Sequence, residues 1–186
     1  MSNIDQVAFS FTAEMTVKGG LEAKFCFKKV YQENTYGDRF GGAATAKLIY
    51  QDIDYACINS CDGAYAAKLY FRYVQPNLYN IYVTSLGTGI YLSASSGWLY
   101  AVKSGNPCNL ILMQNGNICN LDRMTSNTQT IQIQDDSIRK NLQLHDKTPM
   151  AMSNHLFWGA ITTYGGNGGD TNFTLNIKER GVDWPQ

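Results

Sequence analysis

The side chains able to do chemistry are few and scattered along the chain. His145 is followed by Asp146, with Ser137 and Ser153 not far away. Neighbouring residues on a strand point to opposite faces, so Asp146 would not orient His145. No serine lies in the Gly-x-Ser-x-Gly turn that presents a nucleophile. Cys108 or Cys119 acting with His155 lacks supporting context as well. Glu14, Glu22, Glu33 and Glu179 stand without partners at a spacing suited to paired acid and base work. Asp135-Asp136 falls in a predicted turn, while Asp52 and Asp54 lie in a segment of ambiguous structure. Carboxylates in such places are ordinarily turn or cap groups. No catalytic residue is expected, and the chain does not read as an enzyme.

Metal and cofactor motifs are missing too. The five cysteines, Cys26, Cys57, Cys61, Cys108 and Cys119, form an odd, irregularly spaced set, which suits reduced, mostly buried thiols better than a disulfide framework. Cys57-x-x-x-Cys61 has no second pair and no nearby histidine to complete a metal site. A bridge between these two cysteines is the minority alternative. The glycine-rich run from 165 to 169 lacks the lysine and following helix of a phosphate loop and reads as a mobile loop. No cofactor is expected.

Recognition remains. Twelve Tyr and three Trp offer flat apolar faces with polar edges, suited to stacking on sugar rings, and Asn, Asp and His in turns can bond hydroxyls. Charged residues are only 16% of the chain, against an ordinary share of about 25%, so uncharged polar groups must solvate the surface. Positive and negative charges balance at 15 each. A nucleic-acid backbone or an anionic membrane therefore finds no basic field to hold it. The competing use of the aromatics is as core: Trp158, beside Phe157 and Ile161, reads that way, while Trp98, next to Gly97, stays open between core and surface.

The elements that must position these groups read as mostly β. Turn signals such as Asp62-Gly63, Ser96-Gly97 and Asn115-Gly116 separate runs of strand length, including Val7 to Phe11, Lys24 to Tyr31, Lys68 to Val74, Asn80 to Thr84, Thr130 to Gln134 and Asn172 to Ile177. One segment dissents. Between residues 43 and 57, Ala46, Ile49, Tyr50, Ile53, Ala56 and Cys57 recur at three and four, which predicts a short helix, with Gly41-Gly42 before it. At 186 residues one domain is the default.

A repeat of about fifty residues underlies the pattern. Ile81-Tyr82-Val83 aligns without a gap on Ile131-Gln132-Ile133, Leu92-Ser93-Ala94 on Leu142-Gln143-Leu144, and Tyr100-Ala101-Val102 on Met150-Ala151-Met152. A third copy matches Phe25-Cys26-Phe27 to Ile81 through Val83 and Phe40 to Leu92. The units then run about 23–76, 77–126 and 127–180, with 1–22 as an extra N-terminal strand.

Three such units resemble the β-trefoil. Gly89-Ile90-Tyr91-Leu92-Ser93-Ala94 followed by Gly97-Trp98-Leu99-Tyr100-Ala101 looks like the strand and turn phrase of fascin-like and growth-factor-like trefoils within the fascin-like and lectin-like superfamily, most clearly over residues 79–114. The Gln-x-Trp signature of ricin-type lectins is absent, so that family's sugar-binding residues are not carried over. The resemblance implies an all-β fold whose turns and strand ends bind ligand. On that model the ligand-binding candidates are Tyr91, Trp98 and Tyr100 in the middle unit and Asp135, Asp136, Asn141 and His145 in the last. A β-sandwich with a flanking helix is the alternative fold.

The leading expectation is a lectin-like binding protein for glycan or a glycosylated surface. A toxin component acting on membranes comes second, with Val7 to Val17 as the best barrel-forming stretch. A protein-binding trefoil such as a protease inhibitor comes third. Membrane contact and self-association stay open. No Sec-type leader is read at the N-terminus, which suits cytoplasmic synthesis with release by another route.

Overall fold

The computed structural model describes residues 3–17, 22–35, 45–150, 153–163, 165 and 169–183. Among the described residues the chain is mostly β-sheet, with one α-helix, α1 (Asn3–Phe9), ahead of fourteen strands. These are β1 (Phe11–Val17), β2 (Ala23–Thr35), β3 (Thr45–Asn59), β4 (Leu69–Gln75), β5 (Leu78–Val83), β6 (Tyr91–Ser95) and β7 (Trp98–Val102). They continue as β8 (Leu110–Gln114), β9 (Asn117–Ile118), β10 (Thr128–Asp135), β11 (Lys140–Asn141), β12 (Gln143–Met150), β13 (Ser153–Thr162) and β14 (Phe173–Arg180).

Six strands close into a ring. β1 pairs with β4, β4 with β5, β5 with β8, β8 with β10, β10 with β14, and β14 returns to β1, all antiparallel. Closure removes the exposed edges that an open sheet would leave for aggregation. The interior is filled from alternate residues of each strand: Phe11, Ala13 and Met15 from β1, Leu69 and Phe71 from β4, Ile81 and Val83 from β5. Leu110 and Leu112 of β8, Ile131 and Ile133 of β10, and Phe173, Leu175 and Ile177 of β14 complete it. A two-residue period sends one set inward and the other to solvent, which is why a small ring is a packed core and not a channel.

Three hairpins stand between the ring strands: β2–β3, β6–β7 and β12–β13. Each touches the other two, through Tyr55↔Tyr100, Thr162↔Trp98 and the run Trp158↔Asn59 to Ala160↔Cys57. Tight turns hold the short hairpins. Ser96-Gly97 (φ 50°, 86°) joins β6 to β7 and Asn115-Gly116 (φ 51°, 76°) joins β8 to β9. Successive positive φ values are what a two-residue turn needs to match the strand twist.

Several sequence expectations change here. The helix predicted over 43–57 is instead β3. Its apolar spacing serves two cores: Ala56 and Ile58 enter the main core, while Cys57, Tyr50, Ile53 and Tyr55 belong to a second cluster with Cys26, Val30, Cys61, Ala64 and Trp158. Between Cys26↔Cys57 and Lys28↔Asp52 the register slips, leaving residues 53–56 opposite Phe27 alone. That irregularity breaks the alternation and imitates a helical period. The extra strand expected over 1–22 resolves into α1 and β1, and β1 is a member of the ring. Val7 to Phe9, expected to start a strand, are helical. Ser10 ends that helix: its Oγ donates to the Gln6 carbonyl at 2.6 Å and accepts from the Tyr73 amide at 3.0 Å.

The fifty-residue alignment sets two ring strands over one another at its start. Ile81 to Val83 and Ile131 to Ile133 lie in β5 and β10, which both pair with β8. At its end it sets Tyr100, in β7, the second strand of one hairpin, over Met150, the last residue of β12, the first strand of another, because the β12–β13 hairpin is longer than β6–β7. Ala151, Met152, Phe40, Gly41-Gly42, the first two residues of the predicted helix and most of the 165–169 run lie outside the described residues.

Candidate functional site

The three hairpins bring one outward strip of side chains together. Leu99, Ile161, Leu144 and Ile58 point into the main core or pack against it, so their neighbours in sequence, Trp98, Tyr100, Ala160, Thr162, His145 and Cys57, face the other way. Cross-strand registers then order them. His145 lies opposite Ala160, and Ala160 opposite Cys57. Gln143 lies opposite Thr162, and Thr162 opposite Trp98.

Aromatic rings make one end of the strip. Trp98 packs on His145 with ring centroids 5.3 Å apart and meets the Tyr55 edge at 5.8 Å. Tyr55 touches Trp158 at 6.3 Å and is the register partner of Tyr100. The bulged stretch 53–56 is what carries Tyr55 from the β2–β3 hairpin over to β7. Trp98, Tyr100, Tyr55 and His145 are half-buried, whereas Trp158 is only 9% exposed and has Lys29 Nζ 5.3 Å over its ring. Burial pushes the Tyr55 phenol up, so it stays a neutral donor through ordinary pH.

Amide and carboxylate groups make the other end. Asn141 Nδ2 donates to Asp170 Oδ2 at 2.8 Å, and Gln143 Nε2 donates to Asp170 Oδ1 at 3.2 Å. A bridge between Gln143 and Asp170 fixes the backbone there. Asn141, Gln143 and His145 are two apart, which places a planar amide, a second amide and an imidazole in a row. An ionised carboxylate has about four acceptor positions and these two bonds use two of them, so Asp170 retains acceptor capacity.

The sequence-predicted candidates therefore divide. Trp98, Tyr100, Asn141 and His145 share the strip. Tyr91, Asp135 and Asp136 do not. Tyr91 is 9% exposed and donates its phenol to the Gly105 carbonyl at 2.8 Å, tying the loop after β7 to β6. Asp135 is 3% exposed and accepts from the Ser137 amide at 2.8 Å and the Ser137 hydroxyl at 2.6 Å, which closes the β10–β11 turn. Asp136 is ion-paired with Arg139 at 3.0 Å on the same turn, a surface pair of little stabilising weight. Both aspartates line a separate cavity of about 270 Å³ with Ser93, Asn106, Asn109 and Cys108. Burial, with the Asp135 charge adding to it, pushes the Cys108 thiol up to about 12, which leaves no thiolate at neutral pH.

Asp135→Ala removes the acceptor of both Ser137 bonds and should destabilise the fold by about 1–3 kcal/mol, read by urea denaturation. Asp136→Ala on the same turn should change stability by less than about 0.5 kcal/mol.

Tyr55, Gln143 and Asp170 were missed in the sequence. The spacing Asn141-x-Gln143-x-His145 carried the signal for Gln143. Tyr55 was concealed by the helical reading of its segment, and Asp170 reaches the strip by chain folding alone. Among the described residues no group of three or more His, Cys, Asp or Glu is placed to hold a metal ion. No helix among them is long and apolar enough to cross a membrane. No protein-family profile, curated protein or solved structure matches the chain.

Proposed function

We propose that this chain is a non-enzymatic, lectin-type binding protein of β-trefoil architecture, recognising carbohydrate or a glycosylated surface. The closed six-strand ring with three mutually touching hairpins supports the architecture. One observation carries the function: the half-buried Trp98, Tyr55, Tyr100 and His145 adjoin the Asn141, Gln143 and Asp170 amide–carboxylate cluster on one outward face. A sugar ring presents an apolar face to an aromatic plane and hydroxyls to amides and carboxylates, and the strip offers both. The low charge density suits a partner held by hydrogen bonds and stacking.

No observation favours the membrane-acting alternative over this one. β1, the core of its proposed insertion segment, holds Phe11, Ala13 and Met15 inside the ring, so insertion would first have to extract them. A glycan array with the labelled protein is the test. Binding to one related group of sugars, competed by the free sugar, is the expected result. Silence at high protein concentration rejects the reading, and dye release from liposomes in its place favours the membrane alternative.

A further inference from the structure

A second reactive group lies at the base of the β2–β3 hairpin. Cys26 and Cys57 are direct cross-strand partners, both thiols are free, and their Sγ atoms are 3.5 Å apart. Directly opposed antiparallel residues have Cα atoms about 4.5–5.5 Å apart, inside the roughly 4.4–6.8 Å that a disulfide spans. Closing the two sulfurs to a bond of about 2.05 Å therefore needs only side-chain rotation. The register slip after Cys26 turns the Lys28 carbonyl onto the pair, where it accepts from Cys57 Sγ at 3.4 Å, Cys26 Sγ at 3.7 Å and Asn59 Nδ2 at 3.0 Å.

Both thiols are buried, Cys26 2% exposed and Cys57 fully covered, and they differ in what they border. Cys26 lines a cavity of about 210 Å³ with Phe27, Lys28, Tyr65, Ala67 and Leu86, and Cys57 does not reach it. Tyr65 is 79% exposed and Leu86 46% exposed, and the Lys28–Asp52 ion pair at 3.0 Å lines the same cavity with Ser85, so its mouth is part apolar and part charged. The Cys57 thiol, with Lys28 and Lys24 nearby, holds Cys26 below the usual thiol range, while burial raises Cys57. Cys61 lies in the same buried cluster and is likewise raised by burial.

We propose that Cys26 and Cys57 form a thiol–disulfide exchange site for a small organic disulfide admitted through this cavity, with Cys26 attacking and Cys57 resolving. The Cys26 thiolate bonds to one sulfur of the disulfide RSSR, the S–S bond breaks, and one RS⁻ leaves. Cys57, losing its proton, then bonds to the Cys26 sulfur and displaces the second RS⁻. Two protein thiols are oxidised to one cystine, the disulfide is reduced to two RSH, and each leaving group takes one of the two protons. The chemistry owes nothing to the carbohydrate reading and stands or falls apart from it.

The test treats the folded full-length chain with oxidised glutathione, blocks remaining thiols by alkylation, and maps the bonds by peptide mass spectrometry. The wild-type chain should lose two hydrogens, carry a Cys26–Cys57 bridge and retain no glutathione. Cys57→Ser should retain one glutathione on Cys26, and Cys26→Ser should slow reaction at Cys57 by about 10-fold or more. Circular dichroism checks that each variant folds, and the wild-type map decides the matter if one does not. A bridge from Cys26 to Cys61, glutathione retained on Cys26 in the wild type, or both thiols left reduced under conditions that oxidise an unstructured dithiol peptide overturns the proposal.

Discussion

Phe71→Ala should lower the free energy of unfolding by about 3–5 kcal/mol. The side chain is fully buried in β4, its ring stacks on Phe11 at 4.5 Å with planes 7° apart, and the Tyr79 edge meets it at 6.5 Å. Phe11 and Phe71 are also register partners, so the stack bridges the β1–β4 seam of the ring. Truncation removes the apolar burial and leaves a void that backbone on both sides resists filling, because each strand of a closed ring is hydrogen-bonded on two edges. Against a total stability of about 5–15 kcal/mol for a domain, that is a large fraction. Urea denaturation should show a lower midpoint with an unchanged slope. Phe71→Leu, which keeps most of the volume, should cost about 1–2 kcal/mol. A loss below about 1 kcal/mol for the alanine variant would mean that the ring interior is not close-packed at this seam.

Trp98→Ala should weaken sugar binding by roughly 30-fold while leaving the fold intact. If the indole covers about 80 Å² of a sugar face at ~25 cal/mol/Å², its removal costs about 2 kcal/mol of binding free energy. Trp98 also supports His145 and Tyr55 by ring contact at 5.3 and 5.8 Å, so the loss includes their positioning. The ring core does not depend on it, since Leu99 is the residue of β7 that points inward. Isothermal titration with the sugar identified on the array gives the number. Trp98→Phe should recover part of the affinity, because a smaller aromatic plane still stacks. Equal affinity for the alanine variant and the parent would remove Trp98 from the site and the strip with it. Asp136→Ala serves as the control, since it lies on a separate cavity, and its binding should match the parent.

The pattern of residues alone carried the secondary-structure class and much of the turn chemistry. Alternation of apolar residues in β1, β10 and β14 is local information, written at a period of two, and it names the buried face whatever the strand pairs with. Ser96-Gly97 and Asn115-Gly116 are equally local, because only small or amide residues adopt two positive φ values in succession at low cost. The recurrence of Ile81 to Val83 at Ile131 to Ile133 was legible for the same reason: both are ring strands with the same inward set.

Local pattern misled where one strand serves two cores. β3 bends opposite Phe27 and divides its apolar residues between clusters, so neither a strand nor a helix period describes it. Candidate residues chosen by type alone met the same limit. Asp135 and Tyr91 have the chemistry of ligand-binding groups, yet their oxygens bond Ser137 and Gly105 within the fold. What composition and spacing determined was a β-rich chain with aromatic and amide groups to spare and little charge. Which of those groups share a face was decided by the tertiary structure, because Tyr55, Trp98, His145 and Asp170 come from four separate stretches of chain. Only ring closure, which fixes where each hairpin stands, brings them within reach of one another.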